Sequence, residues 1–141
     1  AEGVFDTDDI ILRSAEFHQF LEDAVARYGI DAARLVGLGY SNGANILTSH
    51  ALLHPGLVAR IIALRAMQTL PNAAAEGLDG TQVLMLEGKS DPIVPAATAK
   101  ALEGQLRKGG ASVDVGWLDA GHELTREDVT RAQGWLEANS S

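Results

Sequence analysis

The hydrophobic positions of the first part of the chain recur with helical spacing, which predicts a helix over residues 8–28. Its apolar residues are Ile10, Phe17, Phe20, Leu21, Ala24, Val25 and Tyr28. Thr7 is the expected N-cap, and Gly29 is expected to end the helix because glycine adopts left-handed angles without strain. The nearly unbroken apolar run Arg34–Tyr40 follows, which is typical of a strand covered on both faces.

The remainder of the chain alternates between strand-like and helix-like patterns. A helix over 42–53 is expected to stop at His54, because the residue before a proline disfavours helical angles. A second long helix is expected from Pro95, at its first helical position, to Lys108. The last helix is expected to begin at a capping box formed by Thr125 and Asp128. Further strands are predicted over 58–64, 82–87 and 112–117.

The resulting order of elements is α-β-α-β-β-α-β-α. Strands joined by crossovers of this kind predict an α/β fold with a mostly parallel sheet and helices on both faces. A chain of 141 residues suits a single domain over 1–141.

Composition narrows the classes of function. The chain has 11 Lys and Arg against 19 Asp and Glu, a formal charge of −8, which argues against nucleic acid as a partner. The sequence lacks cysteine, which excludes disulfides and a cysteine nucleophile. No apolar run is long enough to predict a membrane-spanning helix. We therefore expect a cytoplasmic protein with no membrane partner.

The segment Gly39-Tyr40-Ser41-Asn42-Gly43 lies between a predicted strand and a predicted helix. A serine at such a sharp turn takes strained backbone angles that expose its hydroxyl, as a nucleophile requires. Flanking glycines allow the strand and the helix to approach closely. The first N–H groups of the helix, starting with Asn42, are free to bind an oxyanion.

Two other glycine motifs fail on these residues. A dinucleotide-binding fingerprint starting at Gly37 has Asn42 where its third glycine should stand, and no acidic residue follows before Glu76. A phosphate-binding loop ending at Gly88-Lys89-Ser90 has Val83 in the place of its first glycine. We therefore expect neither kind of site.

A serine nucleophile needs a base, and the base needs an acid that orients it. Asp91 follows the third predicted strand and His122 follows the fourth, where the carboxyl ends of parallel strands carry functional loops. The order Ser41, Asp91, His122 is that of an α/β-hydrolase triad. Asp119 is the second candidate for the acid, although its place in the loop of His122 favours local turn bonds.

Other candidate residues give weaker signals. His50 and His54 are four positions apart and could share a metal, but no third ligand or helix-borne glutamate accompanies them, so we predict no metal site. His18 lies within the first helix and carries no signal of its own. Arg65, at the end of the second strand, could reach the mouth of the site.

The motifs together resemble the carboxylesterase/phospholipase branch of the α/β-hydrolases, especially the small bacterial hydroquinone-linked carboxylesterases related to dienelactone hydrolases. The similar segments are E-G-V-F-D at 2–6, G-Y-S-N-G-A-N-I at 39–46, K-S-D-P-I-V-P at 89–95 and G-H-E-L at 121–124. The resemblance implies that Ser41 is the nucleophile, that His122 is the general base and acid, and that Asp91 fixes the imidazole tautomer. It implies no cofactor.

Members of that branch carry further strands and a His-Gly-x-Gly loop before this point, and the loop supplies a second oxyanion donor. The chain therefore looks like one that lacks the N-terminal third and its strands. We expect the strand 34–40 to expose an edge where a second copy or a partner chain pairs. The leading hypothesis is a serine hydrolase that cleaves small carboxylic esters through an acyl-enzyme, with thioesters or amides as other substrates. The alternative is a non-catalytic fragment or subunit that needs a partner chain.

Overall fold

The computed structural model describes residues 6–139, so most of the 2–6 segment of the resemblance lies outside the described residues. The helices and strands follow the predicted order, with one short 3₁₀ turn over Ala32–Arg34. The helices are α1 (Thr7–Tyr28), α2 (Asn42–Leu53), α3 (Ala96–Lys108) and α4 (Arg126–Ala138). The strands are β1 (Val36–Tyr40), β2 (Arg60–Leu64), β3 (Gln82–Gly88) and β4 (Ser112–Leu118).

The four strands form one sheet in the order β1-β2-β3-β4, and every neighbouring pair is parallel. In register, Tyr40 is paired with Leu64, and Leu64 with Leu86. The α/β class and the parallel sheet are thus confirmed. Because the strands are parallel, their carboxyl ends all lie at the same end of the sheet, and the loops that follow them leave from that end.

Helices cover both faces of the sheet, as predicted. One face packs against α2 and α3, and α1 lies against α2. The opposite face packs against α4 through Trp135, Ala132 and Leu136. The side chains of β2 alternate accordingly, with Ile61 and Ala63 in the first core cluster and Ile62 and Leu64 in the second.

β1 departs from the prediction that it would be covered on both faces. Gly37 and Gly39 lie against α2, whereas Val36, Leu38 and Tyr40 remain 38%, 66% and 39% exposed. β1 is an edge strand. In the part of the chain that the structure describes, α4 packs against β3 and does not cover the open face of β1. The apolar run of β1 therefore reflects one buried face and one open face.

Several helix and strand ends also differ from the predictions. Asp6, not Thr7, is the N-cap of α1, and its Oδ1 accepts a hydrogen bond of 3.2 Å from the N–H of Asp9. Thr7 is instead the first helical residue. The 3₁₀ turn delays the start of β1 to Val36, and Pro95 is the cap that precedes α3. These differences amount to one or two residues at each end.

Two predicted helix ends are confirmed. Gly29 ends α1 with a φ of 63°, in the left-handed region. Thr125 and Asp128 form a reciprocal capping box at the start of α4. Among residues 6–139, no helix combines the length and the apolar character that crossing a bilayer requires.

Candidate active site

Ser41 occupies a tight turn between β1 and α2. Its φ of 56° and ψ of −118° are unusual for a residue with a side chain, which makes this turn a strained one. The N–H of Ser41 donates to the carbonyl of Leu64 at 2.8 Å, which extends the β1–β2 ladder into the turn. The strand and helix approach closely here, since a Cβ on Gly39 would lie 2.7 Å from backbone atoms of Gly43 and Ala44.

Gly43 does not have the role expected from the motif. A Cβ at Gly43 would meet no atom within 4 Å among the described residues. Of the two glycines in the motif, Gly39 is therefore the one on which the close approach of strand and helix depends. The expectation that both glycines are needed for this close approach was wrong. A Cβ at Gly43 would point away from neighbouring atoms, whereas a Cβ at Gly39 would point at the backbone of α2.

The three predicted triad residues lie in one hydrogen-bonded row. The Oγ of Ser41 is 2.8 Å from Nε2 of His122. The Nδ1 of the same imidazole is 2.8 Å from Oδ2 of Asp91. In the tautomer with the proton on Nδ1, His122 donates to Asp91 and presents a free lone pair to the serine hydroxyl. The arrangement matches the one that nucleophilic catalysis by serine requires.

Asp91 is held in place on its other side. Its side chain is 0% exposed, and its Oδ1 accepts from the N–H groups of Ile93 at 2.7 Å and Val94 at 3.0 Å. Burial by itself would raise the pKa of the Asp91 carboxyl, but the hydrogen bonds from His122 and these two amides outweigh burial and lower it. Asp91 is therefore an anion at neutral pH.

Asp119, the second candidate for the acid, lies elsewhere. Its side chain is 91% exposed and forms an ion pair of 3.1 Å with Nζ of Lys89.

Asn42, the predicted oxyanion donor, is the first residue of α2, where a backbone N–H has no acceptor within the helix. A groove of about 440 Å³ lies between α1 and α2, and Asn42 forms part of its wall together with Ile10, Phe17 and Ile46.

Residues 4–140 match the Phospholipase/Carboxylesterase family over nearly the whole chain. The chain belongs to that family. It is similar to MhqD of Bacillus subtilis, with 32% identity over 97% of this chain. It is also similar to the crystal structure of the Bacillus cereus carboxylesterase, with 33% identity, a TM-score of 0.93 and 98% of this chain covered. The acyl-protein thioesterase 1 of Gibberella zeae is 28% identical over 93% of this chain.

These comparisons give the chain an α/β-hydrolase fold and place it in a family whose similar members include a carboxylesterase and a thioesterase. The chain spans 68% of MhqD, 65% of the Bacillus cereus carboxylesterase chain and 58% of the thioesterase. It is thus shorter than these relatives by about a third or more, as the resemblance predicted.

Sequence reasoning missed how the protein holds the loop of His122. Arg65 does not reach the mouth of the site as expected, because its side chain is 0% exposed and pairs with the buried Asp128 at 2.8 Å. The hydroxyl of Tyr40 donates to the carbonyl of His122 at 3.0 Å. The capping-box pattern marked Asp128 as a helix cap, but nothing local in the sequence links it to Arg65, 63 positions away.

Glu87 is a second buried group that the motifs did not reveal. It is the next-to-last residue of β3 and is 1% exposed, and neither carboxyl oxygen has a well-oriented hydrogen-bond donor among residues 6–139. Burial raises the pKa of Glu87 to about 8, an effect that the nearby Ala66 amide and the Arg65 charge offset only in part. Glu87 is therefore mostly protonated at neutral pH.

Three of the four histidines form a cluster that the sequence did not predict. Nδ1 of His18 lies 3.0 Å from Nε2 of His50, and the ring of His18 stacks on His54 at 4.3 Å. Among residues 6–139, no group of three or more His, Asp or Glu side chains has the arrangement of a metal site. Burial, together with the charges of His18 and His54, lowers the pKa of His50 to about 4. The cluster thus joins α1 to α2 through contacts between imidazole rings.

Proposed function

We propose that this hydrolase cleaves carboxylic esters with Ser41 as nucleophile, His122 as general base and acid, and Asp91 as the orienting acid. The observation that carries the proposal is the continuous row of hydrogen bonds, 2.8 Å from Ser41 to His122 and 2.8 Å from His122 to Asp91. The strained backbone of Ser41 supports it, because such strain exposes a nucleophile at a turn.

In the first half of the reaction, Nε2 of His122 takes the hydroxyl proton while Ser41 Oγ attacks the ester carbonyl. The negative oxygen of the tetrahedral intermediate accepts a hydrogen bond from the N–H of Asn42. The protonated imidazole then gives its proton to the leaving alcohol. The C–O bond of the ester breaks, and the acyl group stays on Ser41.

In the second half, water takes the place of the alcohol. His122 removes a proton from water, the hydroxide attacks the acyl carbonyl, and the proton returns to Ser41 as the carboxylic acid leaves. Asp91 stabilises the charge of the imidazolium in both halves, which is consistent with its lowered pKa. The residues require no cofactor for these steps.

The family supports the proposed substrate class, and a comparison of leaving groups tests it. The groove beside Asn42 is proposed to receive part of a small ester. Because one relative is named as an acyl-protein thioesterase, the screen pairs an oxygen ester with the thioester of the same acyl group. A higher kcat/KM for the oxygen ester supports the carboxylesterase proposal, and a higher value for the thioester replaces it.

Full activity is proposed to need a further strand along the free edge of β1. The exposed side chain of Leu38 and the shorter length of the chain relative to the carboxylesterase structure support this proposal. A second copy of the chain or a separate partner chain are the candidate sources. Light scattering of the purified chain tests this, since a strictly monomeric and fully active 141-residue chain contradicts it.

Intact-mass analysis after treatment with a fluorophosphonate tests the catalytic assignment. We expect one adduct on the wild-type chain and none on Ser41→Ala, because only an activated serine attacks the reagent at a useful rate. A folded wild-type chain that stays unmodified favours the alternative, a non-catalytic subunit. The relatives and the row of hydrogen bonds favour the hydrolase. The cytoplasmic location expected from the sequence stays a prediction.

A further inference from the structure

The loop that carries His122 has to reach across the sheet. β4, which precedes it, is separated from β1 by β3 and β2, a distance of about 14 Å at three strand spacings. The loop passes over the end of β3, where a Cβ on Gly88 would overlap the carbonyl oxygens of Ala120 and Gly121. Residues 119–125 contain no helix or strand, so no regular ladder of hydrogen bonds fixes the backbone of His122.

Side chains from the ends of β1 and β2 hold this loop instead. Three successive carbonyls each accept a side-chain hydrogen bond. Gly121 accepts from Nε of Arg65 at 3.0 Å, and Glu123 accepts from Nη2 of Arg65 at 2.8 Å. Between them, His122 accepts from the Tyr40 hydroxyl at 3.0 Å. The peptide groups on both sides of the catalytic imidazole are thereby tied to the strands beneath them.

Arg65 itself is fixed from the opposite side. Its Nη1 donates to Asp128 at 2.8 Å and to the carbonyl of Leu86 at 3.2 Å, and its Nη2 donates to Asp128 at 2.9 Å. The five hydrogen bonds match the five N–H groups of a guanidinium. Both charged side chains are buried, at 0% and 1% exposure. A lysine has three donors and no planar fork, so it cannot reproduce this set of contacts.

The backbone at Arg65 is strained to achieve this arrangement. Its φ of 58° is left-handed, which is uncommon for a residue with a side chain, and its N–H donates to the carbonyl of Leu86 at 2.9 Å. Ser41 is the other residue in residues 6–139, glycines excluded, with a positive φ. Strain of this kind persists where the surrounding contacts over-determine it, often next to a site of function.

We propose that Arg65, together with Tyr40, positions the imidazole of His122 between Ser41 and Asp91 by clamping the carbonyls of residues 121–123. Arg65 is a positioning residue, because it acts through the loop and not on the substrate. The inference rests on the proposed function. Asp128 completes the clamp, since the carboxylate that holds Arg65 also accepts from the N–H of Thr125 at 2.8 Å and thereby ties α4 to the loop.

The test reads the tautomer of His122 and the reactivity of Ser41 separately. Imidazole ¹⁵N shifts of the labelled chain report which ring nitrogen of His122 carries the proton. The rate of fluorophosphonate labelling reports the assembled nucleophile. The variants are Arg65→Lys, Tyr40→Phe and, as matched control, Arg107→Lys. Arg107 also bonds a carbonyl and a carboxylate, those of Val113 and Glu103, but away from this loop.

We expect Arg65→Lys to lose the uniform Nδ1–H tautomer and to label on the order of tenfold to a hundredfold more slowly, since small displacements of catalytic groups have effects of that size. Tyr40→Phe keeps its ring beside His122 and is expected to label about fivefold more slowly, the effect of one hydrogen bond. Arg107→Lys is expected to behave as wild type. Folded Arg65→Lys and Tyr40→Phe chains that match wild type in both readouts overturn the proposal.

Arg65→Lys cannot supply both hydrogen bonds that the buried Asp128 receives from Arg65, so a second variant is used if the first does not fold. Arg65→Met combined with Asp128→Leu removes the pair and leaves no unpaired charge, a change that proteins often tolerate. This variant is expected to show the same two losses. If it does not fold, the tautomer and the labelling rate of Tyr40→Phe decide whether the clamp positions His122. A wild-type chain that is not labelled contradicts the proposed function, while the tautomer in the variants still decides the role of the clamp.

Discussion

The Oγ of Ser41 and Nε2 of His122 are 2.8 Å apart, although 81 positions separate the two residues along the chain. Ser41 follows β1 at one edge of the sheet, and His122 follows β4 at the other. The parallel sheet brings both loops to the same end of the molecule, and the loop of His122 crosses the ends of β3 and β2 to reach the serine. This pair is the point at which the predicted chemistry depends most directly on the tertiary fold.

Asp91→Asn is expected to slow fluorophosphonate labelling of Ser41 by a factor on the order of 10³–10⁴. The amide removes the charge that stabilises the imidazolium, and it favours the wrong tautomer of His122, whose Nδ1 lies 2.8 Å from Asp91. Stopped-flow or timed intact-mass measurements give the rate.

Asp119→Asn is the matched control for this prediction. Asp119 is an aspartate three positions before His122, but its side chain is 91% exposed and pairs with Lys89. Its substitution is expected to leave the labelling rate unchanged within experimental error. Equal losses in the two variants contradict the assignment of Asp91 as the orienting acid.

Gly39→Ala is expected to destabilise the protein by about 1–3 kcal/mol or more, because the new Cβ meets backbone atoms that cannot move independently of α2. Gly43→Ala is the paired variant, and it is expected to change the free energy of unfolding by less than about 0.5 kcal/mol. Urea unfolding followed by circular dichroism measures both. A larger cost at Gly43 than at Gly39 contradicts the geometry of the turn.

His50 is expected to make the protein less stable in acid. Burial and the charges of His18 and His54 lower its pKa to about 4, below the ordinary value of 6.5, so the unfolded chain binds more protons between these values. Stability therefore falls as the pH drops from 6.5 to 4, by about 3 kcal/mol in total. His54, whose pKa burial also lowers, adds to the same trend, whereas Glu22 raises the pKa of His54.

The measurement is the urea midpoint between pH 4 and 6.5 in Glu87→Gln and in the double variant Glu87→Gln/His50→Gln, because the replaced Glu87 then no longer offsets the slope. We expect His50→Gln to flatten the acid slope, because glutamine keeps a polar side chain beside His18 but does not titrate. An unchanged slope in that variant shows that His50 is not the titrating group.

Glu87 is expected to act in the opposite direction. Its pKa, raised by burial to about 8 from the ordinary 4.5, makes the folded chain bind more protons than the unfolded chain between these values. Stability therefore falls as the pH rises from 4.5 to 8, by roughly 3–5 kcal/mol. Between pH 4.5 and 6.5 the contributions of Glu87 and His50 offset each other, so each is best measured with the other residue replaced.

Glu87→Gln is expected to be more stable than wild type at pH 8, because the amide stays neutral and removes the cost of keeping a carboxyl protonated. In that variant, the acid slope from His50 is expected to emerge clearly. Thermal unfolding at pH 6 and pH 8 gives the comparison, and a variant less stable than wild type at pH 8 contradicts the buried, protonated state of Glu87.

The order of the elements and the turn around Ser41 were accessible from the sequence because they depend on neighbours along the chain. The 3.6-residue period of α1, the proline after His54 and the capping box of Thr125 act over a few residues. The triad could be predicted as a set, since in a parallel sheet the loops that follow the strands all lie at the same end of the sheet. Its geometry agrees with that prediction, and the catalytic roles stay predictions.

The sequence by itself determined the α/β class, the strand-turn-helix at Ser41 and the candidates Asp91 and His122. The tertiary structure alone decided the partners of Arg65, the burial of Glu87, the contact of His18 with His50 and the open face of β1. The physical reason is the range of the interactions. Local periodicity and turn chemistry are encoded within a few residues, whereas desolvation and hydrogen-bond pairing depend on which distant segments the sheet brings together.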